Sequence, residues 1–408
     1  MRPPSIHKII YYLIVLGLTM IAIKMYFSQS EMEENMFSQK YGWYYKLEFI
    51  GNLHICAASI LCFITYRKYF PLFLSVCYVT LILLVLLTSL TDIPKMLKTP
   101  NYFFTIRGVG TFANFGLLFF AANTKYFNKV LRLFYLICIS FIIAGFINLG
   151  KVGMGASRQQ FLWAIRDFTV ILIWVFPFFF LQTYENKRLN MINTAIFFII
   201  FIFVLSTGSR TYLAIYFIYL IVKFRHQLRS KNGALVIIGT ILVGVGVFFF
   251  ISSNSGLNKT MEGALDILSE RANEDSRSGQ IIEFLRQWEP EYFLQGVGPY
   301  KSWYWTNYGD YYYFLDNQFL LMGWWAGLPA LFVYLYLLFR ATFTKPEINN
   351  YTDVKGIQLM VGLWILACLG FAIYITISSS IYYFFLDVIM GYHLCQFSKI
   401  KDFDPEEI

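Results

Sequence analysis

Chemistry in this chain can begin at Ser206-Thr-Gly-Ser-Arg210, a polar pentapeptide that interrupts an apolar run. Gly208 permits a break in a helix. Ser209 can cap the helix that follows, and Arg210 would open its first turn. Amide N–H groups at a helix start, beside a guanidinium, suit an anion such as a phosphate or pyrophosphate. A tight turn with an interfacial arginine is the plain alternative. Two more arginines lie in a stretch where Asp275 or Ser276 could cap a helix running to about Trp288. Ile281, Leu285 and Trp288 recur there at amphipathic spacing, so the helix is expected to lie apolar side down on a membrane surface. At about 100° per residue, Arg277 shares a sector with Ile281, Phe284 and Trp288, and Arg286 faces away. An arginine on an apolar sector needs an anion or a carboxylate.

Further candidates surround these. Asp316-Asn317 stands where an apolar run resumes, and offers either a general base for a hydroxyl or a helix cap. Glu283 and Asp275 are weaker base candidates. The run Tyr300–Tyr313, with Trp303 and Trp305, could stack on sugar rings or form an interfacial belt. Ionisable residues inside apolar runs are costly in lipid and point to function. Lys24, Arg107, Arg166 and Asp167 are read this way. Lys24 can snorkel to the interface. Arg107, in Arg-Gly-Val-Gly, could contact a ligand or bond neighbouring carbonyls. Arg166 and Asp167 project about 100° apart on a helix, so no simple pair is expected of them, and bracing is the alternative to a ligand contact.

Other chemistries find no support. The sequence has no Walker loop, His-Glu-x-x-His or Ser/His/Asp arrangement, and only four histidines, so neither a metal site nor a cofactor is expected. The six cysteines lack zinc or redox spacing and read as small hydrophobes.

The elements that must position these residues are apolar. The 408 residues are 58% hydrophobic and 14% charged, where a soluble domain is about 25% charged. A mean hydropathy of +0.55 agrees. About twelve runs are long enough, or nearly so, to span a bilayer core of ~30 Å. They are Ile9–Phe27, Leu47–Thr65, Tyr69–Leu90, Tyr102–Ala122, Val130–Leu149, Phe161–Gln182, Met191–Ser206, Ser209–Val222, Ala234–Ile251, Leu315–Phe339, Ile357–Ile377 and Ile381–Cys395. The fold class expected is therefore all-α, a polytopic membrane protein forming one integral membrane domain over residues 1–408. Residues 252–314 form one long loop carrying short helices.

The net charge of +9 is concentrated in alternate connections, such as Arg67-Lys68, Lys125 to Lys129, Lys187-Arg188, and Lys223 to Lys231. The positive-inside rule places these and both termini in the cytoplasm. The long loop is then extracytoplasmic, where no nucleotide is available. No basic soluble domain is present to dock nucleic acid.

In motif order, from about Ile192 to Leu338, the chain resembles the O-antigen polymerase and ligase superfamily of bacterial surface-polysaccharide synthesis. The shared features are Thr207-Gly-Ser-Arg210, two apolar runs, then a long loop with Ser276-Arg-Ser-Gly279, Trp288-Glu-Pro290 and Gly296-Val-Gly298, ending in Asp316-Asn-Gln-Phe-Leu320. The resemblance implies a GT-C-like, metal-independent glycosyltransferase of the inner membrane. Its substrate would be an undecaprenyl-pyrophosphate-linked glycan for O-antigen or capsule, its solvent the lipid bilayer, and a chain-length regulator a further partner. Arg210 and Arg277 would hold the pyrophosphate, with Asp316 taking the proton. Arg107, Arg166, Ser209, Arg286, Glu283, Trp303 and Asn317 are the substrate-binding candidates. Ligases usually carry a His-Asn pair where this chain has Asp316-Asn317, which favours polymerase over ligase. A flippase or transporter is the alternative from another class, and would place charges near the membrane midplane.

Overall fold

A computed structural model describes residues 5–30, 44–90, 112–151, 158–182, 184–207, 209–228, 276–298, 301–306, 309–312, 315, 317–345, 354–371 and 381–400. They are almost entirely helical. Five helices are long and apolar enough to cross a membrane, which fits a membrane protein of the all-α class. The expected run Ala234–Ile251 and most of the long loop before Ser276 lie outside the described residues.

The chain forms two compact units. The first comprises Met1–Lys24, Trp43–Leu133 and Asp275–Ile408, and the second Met25–Gly42 and Phe134–Glu274.

Three expected spans are matched by α2 (Tyr44–Tyr66) and α3 (Leu72–Ser89) of the first unit and by α1 (Ile6–Ser30), which belongs to it as far as Lys24. Apolar side chains cover them without Gly or Pro breaks except at Pro71, which supplies the cap position of α3. Lys24, expected to snorkel, pairs with Glu48 at 2.9 Å.

The expected span Tyr102–Ala122 differs in its described part. Asn114–Ala122 is a nine-residue 3-10 segment, buried on every side. It threads between α2 and the C-terminal helix. Small residues make that passage possible, because a side chain at Gly116 would collide with the Ser59 carbonyl, and one at Gly391 with the Leu118 carbonyl. Polar side chains hold the entry: Ser59 donates to Ile55 O (2.7 Å) and Asn114 O (3.3 Å), and Tyr78 donates to Ala113 O (2.9 Å).

The expected single span Leu315–Phe339 is two helices. They are labelled α10 (Gln318–Ala326) and α11 (Leu328–Phe343) here, with α4 to α9 lying earlier in the chain. Gly327 divides them, at φ +85°, and Pro329 opens the second. A left-handed residue ends one helix and a proline in the first turn starts the next. Then come α12 (Val354–Leu366), which runs on into a π turn (Ala367–Phe371), and the wholly buried α13 (Ile381–Leu394).

The second unit holds α5 (Arg158–Leu181), α6 (Lys187–Ser206) and α7 (Arg210–Leu228), with the later part of α4 (Thr124–Lys151). Three rings tie α5, α6 and α7 together. Phe180, Phe197 and Tyr216 stack nearly parallel, with centroids 4.0 and 4.4 Å apart. Polar groups fix the depth of the helices. Asn193 donates to Phe179 O (3.2 Å) and accepts from the Tyr135 hydroxyl (3.1 Å). Lys223 donates to Gln182 O (2.7 Å), capping carbonyls just beyond α5. At α6, Asn186 is the N-cap, accepting from Arg188 N at 3.0 Å.

Candidate functional site

The break between α6 and α7 lies where the polar pentapeptide suggests. Ser206 and Thr207 turn their hydroxyls back to Ile202 O and Val204 O, ending α6. Ser209 then accepts from Tyr212 N (3.4 Å), a long cap on α7. Arg210 is the first residue of α7 and is exposed. Gly208 lies outside the described residues. Also in the second unit, Arg166 and Asp167 are both half-buried. Contrary to expectation they do approach each other, at 3.9 Å. Flexible side chains bridge the 100° between adjacent positions, and at that distance the pair adds little.

The described part of the loop, from Ser276 on, belongs to the first unit. Its helix, α8 (Ser276–Arg286), is followed by α9 (Tyr292–Gln295) and a hairpin of β1 (Trp303–Trp305) and β2 (Asp310–Tyr312). In the hairpin Trp303 pairs with Tyr312, Tyr304 with Tyr311, and Trp305 with Asp310.

The helix face differs from the expected one at Leu285, while Phe284 and Trp288 lie inward as their shared sector suggests. Gln280, Phe284 and Trp288 are buried, while Leu285 is 45% exposed. The reason is aromatic packing: Phe284 meets Trp303 edge-on at 5.5 Å and Trp324 of α10 at 5.4 Å. Rings bury more area than leucine does, so they set the inward face. α8 therefore packs on α10 and the hairpin through Phe284, with Leu285 on its outer face. Trp303, a candidate for sugar stacking or for an interfacial belt, fills this loop core at 1% exposure. The outward ring pair is Tyr304 and Tyr311, 5.2 Å apart.

Glu283 and Gln287, one turn apart, staple α8 to the hairpin. Glu283 accepts from both the amide and the hydroxyl of Thr306. Gln287 donates to Tyr304 O (2.6 Å) and accepts from Tyr304 N (2.9 Å), pairing with β1 as a neighbouring strand would. Glu283, a base candidate, thus spends its carboxylate on the hairpin. Arg286 is exposed. Arg277 lies in α8, and its side chain falls outside the described residues, as do Arg107, Asp316 and Asp275.

The Gly-Val-Gly step stitches the loop to the helix break. Val297 N donates to Trp324 O (2.8 Å) and Gly298 N to Trp325 O (3.1 Å), satisfying carbonyls at the end of α10. Gly296 and Gly327, both at positive φ, face each other backbone to backbone where no side chain fits. Thr88, at the end of α3, donates to Gln295 O (2.9 Å). Asn317 is the N-cap of α10, accepting from Leu320 N (3.0 Å), and donates to Leu369 O (3.3 Å). The cap offered to Asp316-Asn317 is thus taken by Asn317. Near the staple, Glu291 beside Tyr292 pushes that phenol above its usual range, with small further effects of burial and Glu289.

The candidates thus divide between the units. Arg210, Ser209 and Arg166 belong to the second, and Arg107, Arg277, Glu283, Arg286, Trp303, Asp316 and Asn317 to the first. Among the described residues no group of three His, Cys, Asp or Glu could hold a metal ion.

Reading the sequence missed Asp387, a fully buried carboxylate midway along α13. The signal was available, since an acid inside an apolar run points to function by itself. Comparison with protein-family models, with curated proteins and with solved structures finds no match to this chain.

Proposed function

We propose that the chain is a polymerase of lipid-linked oligosaccharide repeat units. It would act at the outer leaflet of the bacterial cytoplasmic membrane, with both termini in the cytoplasm. In this reading Arg210 and Arg277 hold the pyrophosphate of the growing chain. A hydroxyl of the next unit attacks the anomeric carbon, the carbon–oxygen bond to pyrophosphate breaks, and Asp316 takes the hydroxyl proton. The arginines stabilise charge on the leaving group, and no metal is required. About twelve spans and a GT-C-like arrangement belong to the same proposal.

The observation that carries the reading is the exposed Arg210 opening α7 directly after a helix break. A guanidinium beside first-turn amides suits a pyrophosphate. The folded loop supports it, because a platform bonded to the ends of α3 and α10 can hold a large acceptor in one orientation. A ligase moving finished glycan to lipid A core is the nearest alternative. A second reading, a flippase or transporter, is favoured by one observation, the buried acid midway along α13.

The surface-polysaccharide gel profile of a deletion strain tests all three. A band of single repeats supports the polymerase. Unligated lipid-linked polymer would mean a ligase, and units retained in the cytoplasm a flippase.

A further inference from the structure

Asp387 stands in the interior of the first unit, on a helix whose fourteen residues are all buried. The carboxyl is 0% exposed, and among the described residues neither oxygen has a hydrogen-bond partner. Its charge would be felt by three phenols on three helices: Tyr78 of α3, Tyr334 of α11 and Tyr383 of α13 itself. Tyr383 lies one turn before Asp387 on the same face. Tyr334 reaches Tyr383 and Trp364 of α12. Tyr78 donates its proton to Ala113 O, which leaves its oxygen as an acceptor.

The 3-10 segment Asn114–Ala122 carries no titratable side chain. The π turn after α12 brings Cys368 beside Tyr334 and Tyr383. On α13 itself, His393 is tied to Thr344 O. Among the described residues, no lysine, arginine or histidine acts on the carboxyl.

An ionised carboxylate so placed costs several kcal/mol, and a leucine would fill the position without that cost. Metal cations are a poor match, since they require several oxygen ligands and charge from more than one. A proton needs only the one oxygen. Two irregular segments border the site, the 3-10 segment and the π turn, and such departures recur at functional positions.

We propose that Asp387, fully buried midway along α13 one turn after Tyr383, is a proton-binding site that loads and unloads within the membrane-embedded interior of the first unit. The proposal does not depend on the polymerase reading. A carboxyl that exchanges its proton there gives the protein a means to respond to, or carry, protons.

Infrared spectroscopy of the purified full chain in lipid nanodiscs, in H2O and D2O and titrated from acid to alkaline pH, tests it. The carbonyl band of the protonated acid is assigned by its loss in Asp387→Asn and its displacement in Asp387→Glu. The band should be present at neutral pH, shift in D2O, and vanish reversibly as pH rises. No band at neutral pH would overturn the proposal, because the group would then be ionised and partnered. A band that neither exchanges nor titrates would overturn it too, leaving a locked structural acid. If Asp387→Asn does not fold, Asp387→Glu and the band's displacement in Tyr383→Phe carry the assignment.

Discussion

Replacing Gln287 with alanine should free the loop hairpin while leaving the membrane helices untouched. The side-chain amide makes two bonds to the Tyr304 backbone, at 2.6 and 2.9 Å. Each contributes about 0.5–1.5 kcal/mol net, and Gln287 is only half-buried. The loss is therefore about 1–2 kcal/mol, or roughly 5- to 30-fold more frequent opening of the hairpin. Hydrogen–deuterium exchange on peptides covering residues 301–312, in lipid nanodiscs, reads this directly. Glu283→Gln should keep the staple, because an amide oxygen still accepts from the Thr306 amide and hydroxyl. It therefore separates two roles. A stapling Glu283 leaves exchange and activity near native in Glu283→Gln. A base at Glu283 would lose activity with exchange unchanged. Equal protection of the hairpin in Gln287→Ala and the native chain would refute the stapling argument. So would a rise in exchange spread evenly over all the helices.

Three further outcomes follow from the same reasoning. Arg210→Lys and Arg277→Lys should each abolish polymer with protein levels retained, and Arg286→Lys should be mild. The lost bonds to a developing charge are worth on the order of 2–4 kcal/mol, roughly 30- to 1,000-fold in rate, read as polymer per unit of folded protein. Gly327→Ala should lower thermal stability by about 1–3 kcal/mol, since it forces a side chain into left-handed backbone and against the Leu294 carbonyl; a thermal melt in detergent measures it. Cysteine at Ser255 or Asn307 should label with an impermeant reagent from outside, and cysteine at Lys231 should not; the opposite pattern would remove the extracytoplasmic site.

Helices whose apolar runs are bounded by polar residues were legible in the sequence. The runs Ile9–Phe27, Leu47–Thr65 and Met191–Ser206 fall within α1, α2 and α6. Ser209 and the break at Arg210 were legible too, because a polar pentapeptide inside an apolar run leaves few other conformations. The break at Gly327 was not read, because hydropathy averages across Gly-Leu-Pro. The spacing of that glycine and proline was the available clue. The outward turn of Leu285 on α8 was not legible for a different reason. Leu285 and Phe284 are adjacent, and only tertiary packing against Trp303 and Trp324 decides which of them turns inward. The burial of Trp303 follows from the same cluster. Asp387 was passed over because one acid scarcely alters the hydropathy of its run, although its cost there is large.

Reconstitution tests the polymerase claim most directly. The purified chain, in proteoliposomes supplied with undecaprenyl-pyrophosphate-linked repeat units and a metal chelator, should extend them into a ladder of longer lipid-linked products, and Arg210→Lys should not. Units that cross the bilayer without being joined would contradict the account and make the chain a transporter.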